Sequence, residues 1–189
     1  MKSDIIITGY GGQGVLTIAE VIAKAALSQG YNISQTELHG LAQRGGSLQC
    51  HIRISDKKIN SELILVGSAD LIIALDPLEA LRACYWANPN TTILINYKTS
   101  KPYLVEELSP EGLITKIKKF SKKIEIVKAD DIVQKLTGNI MDANTYILGY
   151  ALKKKILILN KDKIWKSITD KIRPEFIESN KKVFETALK

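Results

Sequence analysis

The chain is poor in cysteine, in aromatic residues and in long apolar runs, and each shortage closes off a class of function. Two cysteines occur in 189 residues, Cys50 and Cys84. A cubane iron–sulfur cluster takes about four thiolates, so this chain cannot hold one alone. Cys50 alternates with Leu48 and Ile52 in a strand pattern and Cys84 falls in a helical one, so both read as small buried hydrophobes. No apolar run approaches the roughly 20 residues of a membrane span. The start, "MKSDIIITGYGGQG", goes straight into a strand and a glycine turn without signal-peptide architecture, so a cytoplasmic location is expected.

Negative charge is also in deficit: 20 acidic residues against 27 basic ones give a net charge of +7. Basic proteins often bind phosphate backbones, but these lysines are unevenly placed. Only Lys2, Lys24, Lys57 and Lys58 precede Lys98, and the rest decorate amphipathic segments such as "ITKIKKFSKKIEIVK". No nucleic-acid motif or aromatic stacking platform accompanies them. They read as solvated faces, and neither a nucleic-acid partner nor a membrane is expected.

What is present is an alternation of strand and helix. "DIIITG" is a short apolar strand, and Gln13 to Gln29 repeats apolar residues at helical spacing until Gly30 ends the run. A strand from Tyr31 to Leu38 follows. "SLQCHIRIS" then alternates strictly: Leu48, Cys50, Ile52 and Ile54 face one way, Gln49, His51 and Arg53 the other. Asp56-Lys57-Lys58 resembles a hairpin tip returning through Ile59, which predicts an antiparallel element. "DLIIALD" and "TTILINY" are buried strands flanking the helix "PLEALRACYWAN", which has Pro77 in its first turn. Ser109 opens another helix, "IEIVKA" is a strand, and three helical stretches close the chain around Met141–Lys155, Lys161–Ile172 and Pro174–Leu188. The pattern predicts a single three-layer α/β domain, with a largely parallel Rossmann-like sheet, an antiparallel hairpin element and C-terminal helices.

"GYGGQG", Gly9 to Gly14, satisfies G-x-G-x-x-G between a strand and a helix, and Glu37 stands about where a dinucleotide-binding fold keeps its ribose acid. Two readings of the turn stand. Its helix end offers free N–H groups to a phosphate, or a tight strand–helix turn simply needs glycine. No lysine-serine pair follows, so it is not a nucleoside-triphosphate loop.

Four features occur in order: "GYGGQGVLTIAEVIAKAA", "ELHGLAQRGGSLQCHIRI", "ADLIIALDPLEALR", and finally "NTYILGYAL" with "ESNKKVFETAL". Together they resemble the gamma-type domain of 2-oxoacid:ferredoxin oxidoreductases over nearly the whole chain, 1–189. The E-x-H-G-x-A-Q-R-G-G form is similar to the indolepyruvate branch. The resemblance implies an accessory subunit of a cytoplasmic enzyme that oxidatively decarboxylates a 2-oxoacid to an acyl-coenzyme A and passes electrons to ferredoxin. It also implies no cofactor on this chain. Thiamine diphosphate and iron–sulfur clusters are expected on a catalytic companion subunit, with coenzyme A as co-substrate of the complex. The absence of four-cysteine sets and of a G-D-G thiamine signature agrees with that. The alternative is a free-standing Rossmann-like dinucleotide-binding protein.

No catalytic residue or metal ligand is assigned. The expected cofactor-binding or interface surface comprises Gly11, Gly12, Gln13 and Gly14 with Glu37, His39, Gln43, Arg44, Gly45 and Gly46, gathered at the carboxyl ends of neighbouring strands. Arg44 on its glycine hinge could grip a carboxylate or phosphate with two prongs, or pair with Glu37 to brace the loop. Gln13 is read as capping the helix or meeting the partner. Asp76 and Glu79 suit a helix dipole and are assigned no chemistry. A partner-covered apolar surface is expected, with Tyr85, Trp86, Trp165, Phe176 and Phe184 as candidates although core packing is the expected fate of most, and a homodimer could substitute when the partner is missing. The isolated chain is expected to be folded, colourless and unable to reduce a dye with any 2-oxoacid. A stoichiometric iron–sulfur absorption spectrum from the lone chain would overturn that.

Overall fold

The computed structural model of the protein describes residues 2–39, 45–98 and 109–189. Strand β1 (Lys2–Tyr10) leads through glycines into α1 (Val15–Leu27), followed by β2 (Asn32–His39) and β3 (Ser47–Ser55). Then come β4 (Leu71–Ala74), α2 (Pro77–Ala83), β5 (Thr92–Asn96), α3 (Pro110–Ile117), β6 (Lys123–Val127) and α4 (Ala129–Thr137). Helices α5 (Ala143–Lys153), α6 (Lys161–Thr169) and α7 (Ile177–Ala187) close the chain. One six-stranded sheet has the order β2-β3-β1-β4-β5-β6. β1, β4, β5 and β6 are parallel neighbours, and β3 alone runs against its two neighbours, β1 and β2.

Three layers result. On one face α1 and the C-terminal helices α4 to α7 cover Ile5, Ile7, Cys50, Ile52, Ile54, Leu71, Ile73 and Leu94. Alanines 19, 25 and 26 are fully buried in α1 and let that helix lie close to the strands. Full burial of isoleucines such as Ile5, Ile52 and Ile73 contributes about 1.5–3 kcal/mol each relative to exposure. Gly149 in α5 permits close approach to α7, since a Cβ there would lie 2.7 Å from that of Ala187. On the other face α2 and α3 cover Ile6, Ile72, Ile93 and Ile95. β4 is buried throughout, as its unbroken apolar run between two helical layers requires. No helix among the described residues is long and apolar enough to cross a membrane.

The alternation in β3 divides as its sequence predicts, with Cys50, Ile52 and Ile54 in the larger core. Its other side is covered by an extended strap, residues 56–69. Arg53 pairs with the buried carboxylate of Asp4 (2.9 Å) and donates to the strap carbonyl of Ser61 at 3.0 Å. Thr36 donates to Glu62, and the Ile64 amide donates to His51 Nδ1. The predicted hairpin at Asp56–Lys58 is therefore replaced. Both edges of β3 are already taken by β1 and β2, which leaves no edge for a returning strand, and the antiparallel hairpin is β2–β3 instead. Helix α4 was not predicted. Its nine residues are mostly polar, although Asp130 and Asp131 in its first turn and Gly138 at φ +74° just past its end are ordinary boundary signals.

Among the aromatic residues expected at a covered surface, Phe184 is buried and stacks on Trp165, and Trp86 packs edge-on to His51. Tyr85 and Phe176 are exposed, and Leu65 and Val66 of the strap are exposed as well.

His51 is fully buried, and burial lowers its pKa from the ordinary 6.5. With Nδ1 accepting from Ile64, the ring is neutral and carries its proton on Nε2. As pH falls through 6.5, the unfolded chain gains a proton that the folded chain refuses. Stability should therefore be level above that pH and decline below it, until the folded pKa is reached. His51→Asn keeps an acceptor near the Ile64 amide but does not titrate. Urea midpoints measured between about pH 7 and pH 5 should slope less for this variant than for the wild type. Equal slopes would remove His51 as the cause, with His39→Asn as the control for the second histidine.

Candidate functional site

The site lies where β1 ends. Helix α1 leaves β1 toward one face and α2 leaves β4 toward the other, so a crevice opens between two adjacent carboxyl ends. Open α/β sheets place ligands at this point. The turn out of β1 is tight. The Gln13 amide donates to the Tyr10 carbonyl at 3.0 Å, while Gln13 Oε1 accepts from the Tyr10 amide at 2.7 Å. Gln13 thus folds back on its own turn. That leaves no room at Gly9, where a Cβ would lie 2.7 Å from Gln13 Oε1 and 2.9 Å from Val15. Gly12 and Gly14 take φ of +100° and +86°, which side-chain-bearing residues rarely adopt. At Gly14 an added Cβ would also lie 2.2 Å from Nδ2 of Asn144, which donates to the Gln13 carbonyl at 3.0 Å. The first turn of α5 therefore sits over the start of α1, on ground that a phosphate reading leaves open.

Because β3 is antiparallel to β1, it begins where β1 ends, with Ser47 opposite Tyr10. The Gly11 amide donates to the Gly46 carbonyl at 2.9 Å, which joins the glycine turn to the end of the hairpin loop. Gly45 sits at φ +70°. His39 closes β2 in register with Leu48. Gln43 and Arg44 lie outside the described residues, and so does any Glu37–Arg44 pair.

Glu37 is exposed and stands opposite Cys50 on the outermost strand. With β3 interposed, β2 is two interstrand spacings, about 10 Å, from β1. A dinucleotide-binding fold pairs its acid-bearing strand directly with the first. The expected ribose-acid placement of Glu37 therefore does not hold, and the dinucleotide alternative loses its second element.

Sequence reasoning passed over Glu79. Its side chain is fully buried and accepts from Ser47 Oγ at 2.5 Å, from Arg82 Nη1 at 2.5 Å and, weakly, from Thr8 Oγ1 at 3.5 Å. One signal was available: Glu79 lies one helical turn from the buried Ala83 and so shares its inward face. Asp76 caps α2, accepting from the Leu78 amide at 2.8 Å, as its place before Pro77 suggests. Burial, with the charges of Asp76 and Glu79, pushes the Tyr10 phenol well above its usual range, so it stays protonated.

Cys50 and Cys84 belong to cores on opposite faces of the sheet and cannot ligate one metal centre together. Burial pushes both thiols up to about 12, so neither supplies thiolate at neutral pH. Among the described residues no group of three or more His, Cys, Asp or Glu side chains could hold a metal ion.

Comparison with known proteins fits this architecture. Subunit IorB of indolepyruvate oxidoreductase from Archaeoglobus fulgidus is 32% identical, over 98% of this chain and 93% of its own. The common gamma subunit of the pyruvate/ketoisovalerate oxidoreductases of Pyrococcus furiosus is 29% identical, over 91% of this chain and 88% of its own. The crystal structure of pyruvate oxidoreductase subunit PORC from Thermotoga maritima has the same fold. It superposes with a TM-score of 0.75 at 22% identity and covers 99% of this chain and 95% of that one. Residues 4–189 match the family model described as pyruvate ferredoxin/flavodoxin oxidoreductase, and the chain belongs to that family.

Proposed function

We propose that this chain is the accessory, IorB-like subunit of an indolepyruvate-type 2-oxoacid:ferredoxin oxidoreductase, which converts a 2-oxoacid and coenzyme A to an acyl-coenzyme A with ferredoxin as electron acceptor. The observation that carries this reading is the likeness to IorB along nearly the full length of both chains. The whole chain, 1–189, acts as one gamma-type domain. Thiamine diphosphate and the iron–sulfur clusters belong to the companion catalytic subunit, and two buried thiols on opposite faces are in keeping with that division. Unpaired thiols also suit a cytoplasmic setting.

The chain's own contribution is shape and charge at the carboxyl ends of β1 and β4. Gly11, Gly12, Gln13 and Gly14, joined to Gly45 and Gly46 by the Gly11–Gly46 hydrogen bond, form a ledge close to the sheet. Gln43 and Arg44 belong to the sequence between this ledge and β2, whose last residues include Glu37 and His39. In this reading the ledge meets the companion subunit beside its active site or along the path of coenzyme A. Asn144 and the back-folded Gln13 at the start of α1 favour this protein-facing role over a bound dinucleotide.

Co-purification with mass spectrometry tests the assignment, followed by an assay of the complex on an aryl 2-oxoacid against pyruvate. A thiamine-diphosphate-containing partner and preference for the aryl substrate are expected. NAD or FAD bound to the chain, with no such partner, would sink the reading. If Arg44 serves assembly and not folding, Arg44→Ala should shift the stability of the lone chain by no more than about 0.5 kcal/mol. Loss of a charge-assisted contact in a desolvated interface should weaken assembly by about 2–5 kcal/mol. A sharp fall in melting temperature with normal acyl-coenzyme A formation after reconstitution would make Arg44 an internal brace instead.

A further inference from the structure

Strand β2 closes one side of the sheet with its outer edge open. It pairs with β3 through eight residues without interruption and, among the described residues, with no other strand. A bare edge offers a row of backbone N–H and C=O groups to any extended chain, and folded proteins blunt such edges with shortness, lysine, proline or a bulge. β6, at the opposite side, is five residues long, starts at Lys123 and has its Glu125 engaged by Tyr150 and Lys154. β2, "NISQTELH", is eight residues long and has none of these devices. Its first half lies at the bottom of a groove. Leu27 and Tyr31, at and just after the end of α1, line one wall on the face that the helices cover, and Lys58 to Glu62 of the strap line the other. Asn32, Ile33 and Ser34 lie between them, so this groove of about 440 Å³ wraps the free edge and has the shape of a berth for an extended strand.

The chain itself supplies a matching strand. Directly opposed side chains share a face of the sheet, so an antiparallel pairing of β2 with a second β2 is centred on a residue and not between two. Centred on Gln35, it places Ser34 against Thr36, Ile33 against Glu37 and Asn32 against Leu38. Leu38, exposed in the single chain, then enters the groove of the other copy at Asn32, beside Ile59. Charge selects the direction. Asn32 is opposite Ser55, so Lys57 and Lys58 stand by the start of β2, while Glu37 is near its end. An antiparallel pairing brings the acidic end of each copy to the basic end of the other, whereas a parallel one would set like against like. We propose that β2 is a self-association edge, where two copies of this chain pair their β2 strands antiparallel about a two-fold axis and join their sheets into one. This edge is about 10 Å from β1 and leaves the glycine ledge uncovered, so the pairing does not depend on the subunit assignment.

Sedimentation equilibrium of the full chain alone, from micromolar to millimolar concentration, measures the association, and amide exchange over residues 32–38 locates it. A dimer is expected, with exchange at alternate residues of β2 slowing as concentration rises, because every second residue turns its backbone groups outward. Leu38→Lys should weaken dimerisation about tenfold, since a substitution acts twice across a two-fold axis. Glu37→Lys and Lys58→Glu should each weaken it several-fold, and the double variant carrying both should restore it. All three positions are exposed, so melting temperatures taken at micromolar concentration should stay within a few degrees of the wild type. A chain that remains monomeric throughout would overturn the proposal. So would a dimer whose exchange at 32–38 ignores concentration, or single charge variants that the double variant fails to rescue. Protection of 32–38 that arises only when the companion subunit is added to a monomeric chain would give the edge to that subunit and equally overturn the self-pairing. Each of these results leaves the subunit assignment to its own co-purification test.

Discussion

The reversed direction of β3 is the constraint on which the site depends. In a wholly parallel sheet every strand starts at the end opposite the ligand crevice. An antiparallel strand beside β1 must start at the crevice, so its leading residues and Gly46 before them arrive next to the glycine turn. The contacts between Gly11 and Gly46, and between Ser47 and Glu79, follow from that placement. The same strand displaces β2 to the edge and takes Glu37 away from the turn. A single antiparallel strand thus separates the acid-bearing β2 from what reads as a nucleotide-binding start.

The two faces of the sheet are secured by different means. The larger face is apolar and is closed by helices, with alanine in α1 and glycine in α5 permitting close approach. Over β3 the opposite face is polar, and among the described residues helical side chains reach it only at Ser47, through Glu79, and at His51, through Trp86. Arg53, His51 and Thr36 instead hold an extended strap by directed hydrogen bonds. Backbone carbonyls and amides of the strap would otherwise be left against a sheet with no partners, so the polar side of β3 is what makes an irregular cover tolerable.

Periodicity made most of this fold legible. The alternation in β3 assigned both of its faces, and the helical spacing after Gly14 located α1. Strand order was less accessible, because no local pattern states which edge of β3 is free. The hairpin placed at Asp56 assumed an open edge that β2 already occupies. Helix α4 escaped because its short apolar face is interrupted by acidic and basic residues, and packing rather than propensity holds it. At the site, the glycines were readable as a turn, since positive φ and close approach demand that residue type. Glu79 and Asn144 were not assigned. Their importance arises from partners 32 and 131 positions away, which no motif spacing conveys.

That last separation bears on how the molecule is made. The glycine turn is synthesised well before α5, yet its final geometry includes the Asn144 bond to Gln13, and the far end of α1 is tied by Gln29 to Asn160. Loop closure over such distances is slow compared with forming local helices. A chain still emerging from the ribosome can therefore form α1 early, but its amino-terminal turn stays unfinished until α5 has docked. A chain cut short before residue 144 would carry the whole glycine motif yet lack the Asn144 bond that holds the Gln13 carbonyl in the finished turn.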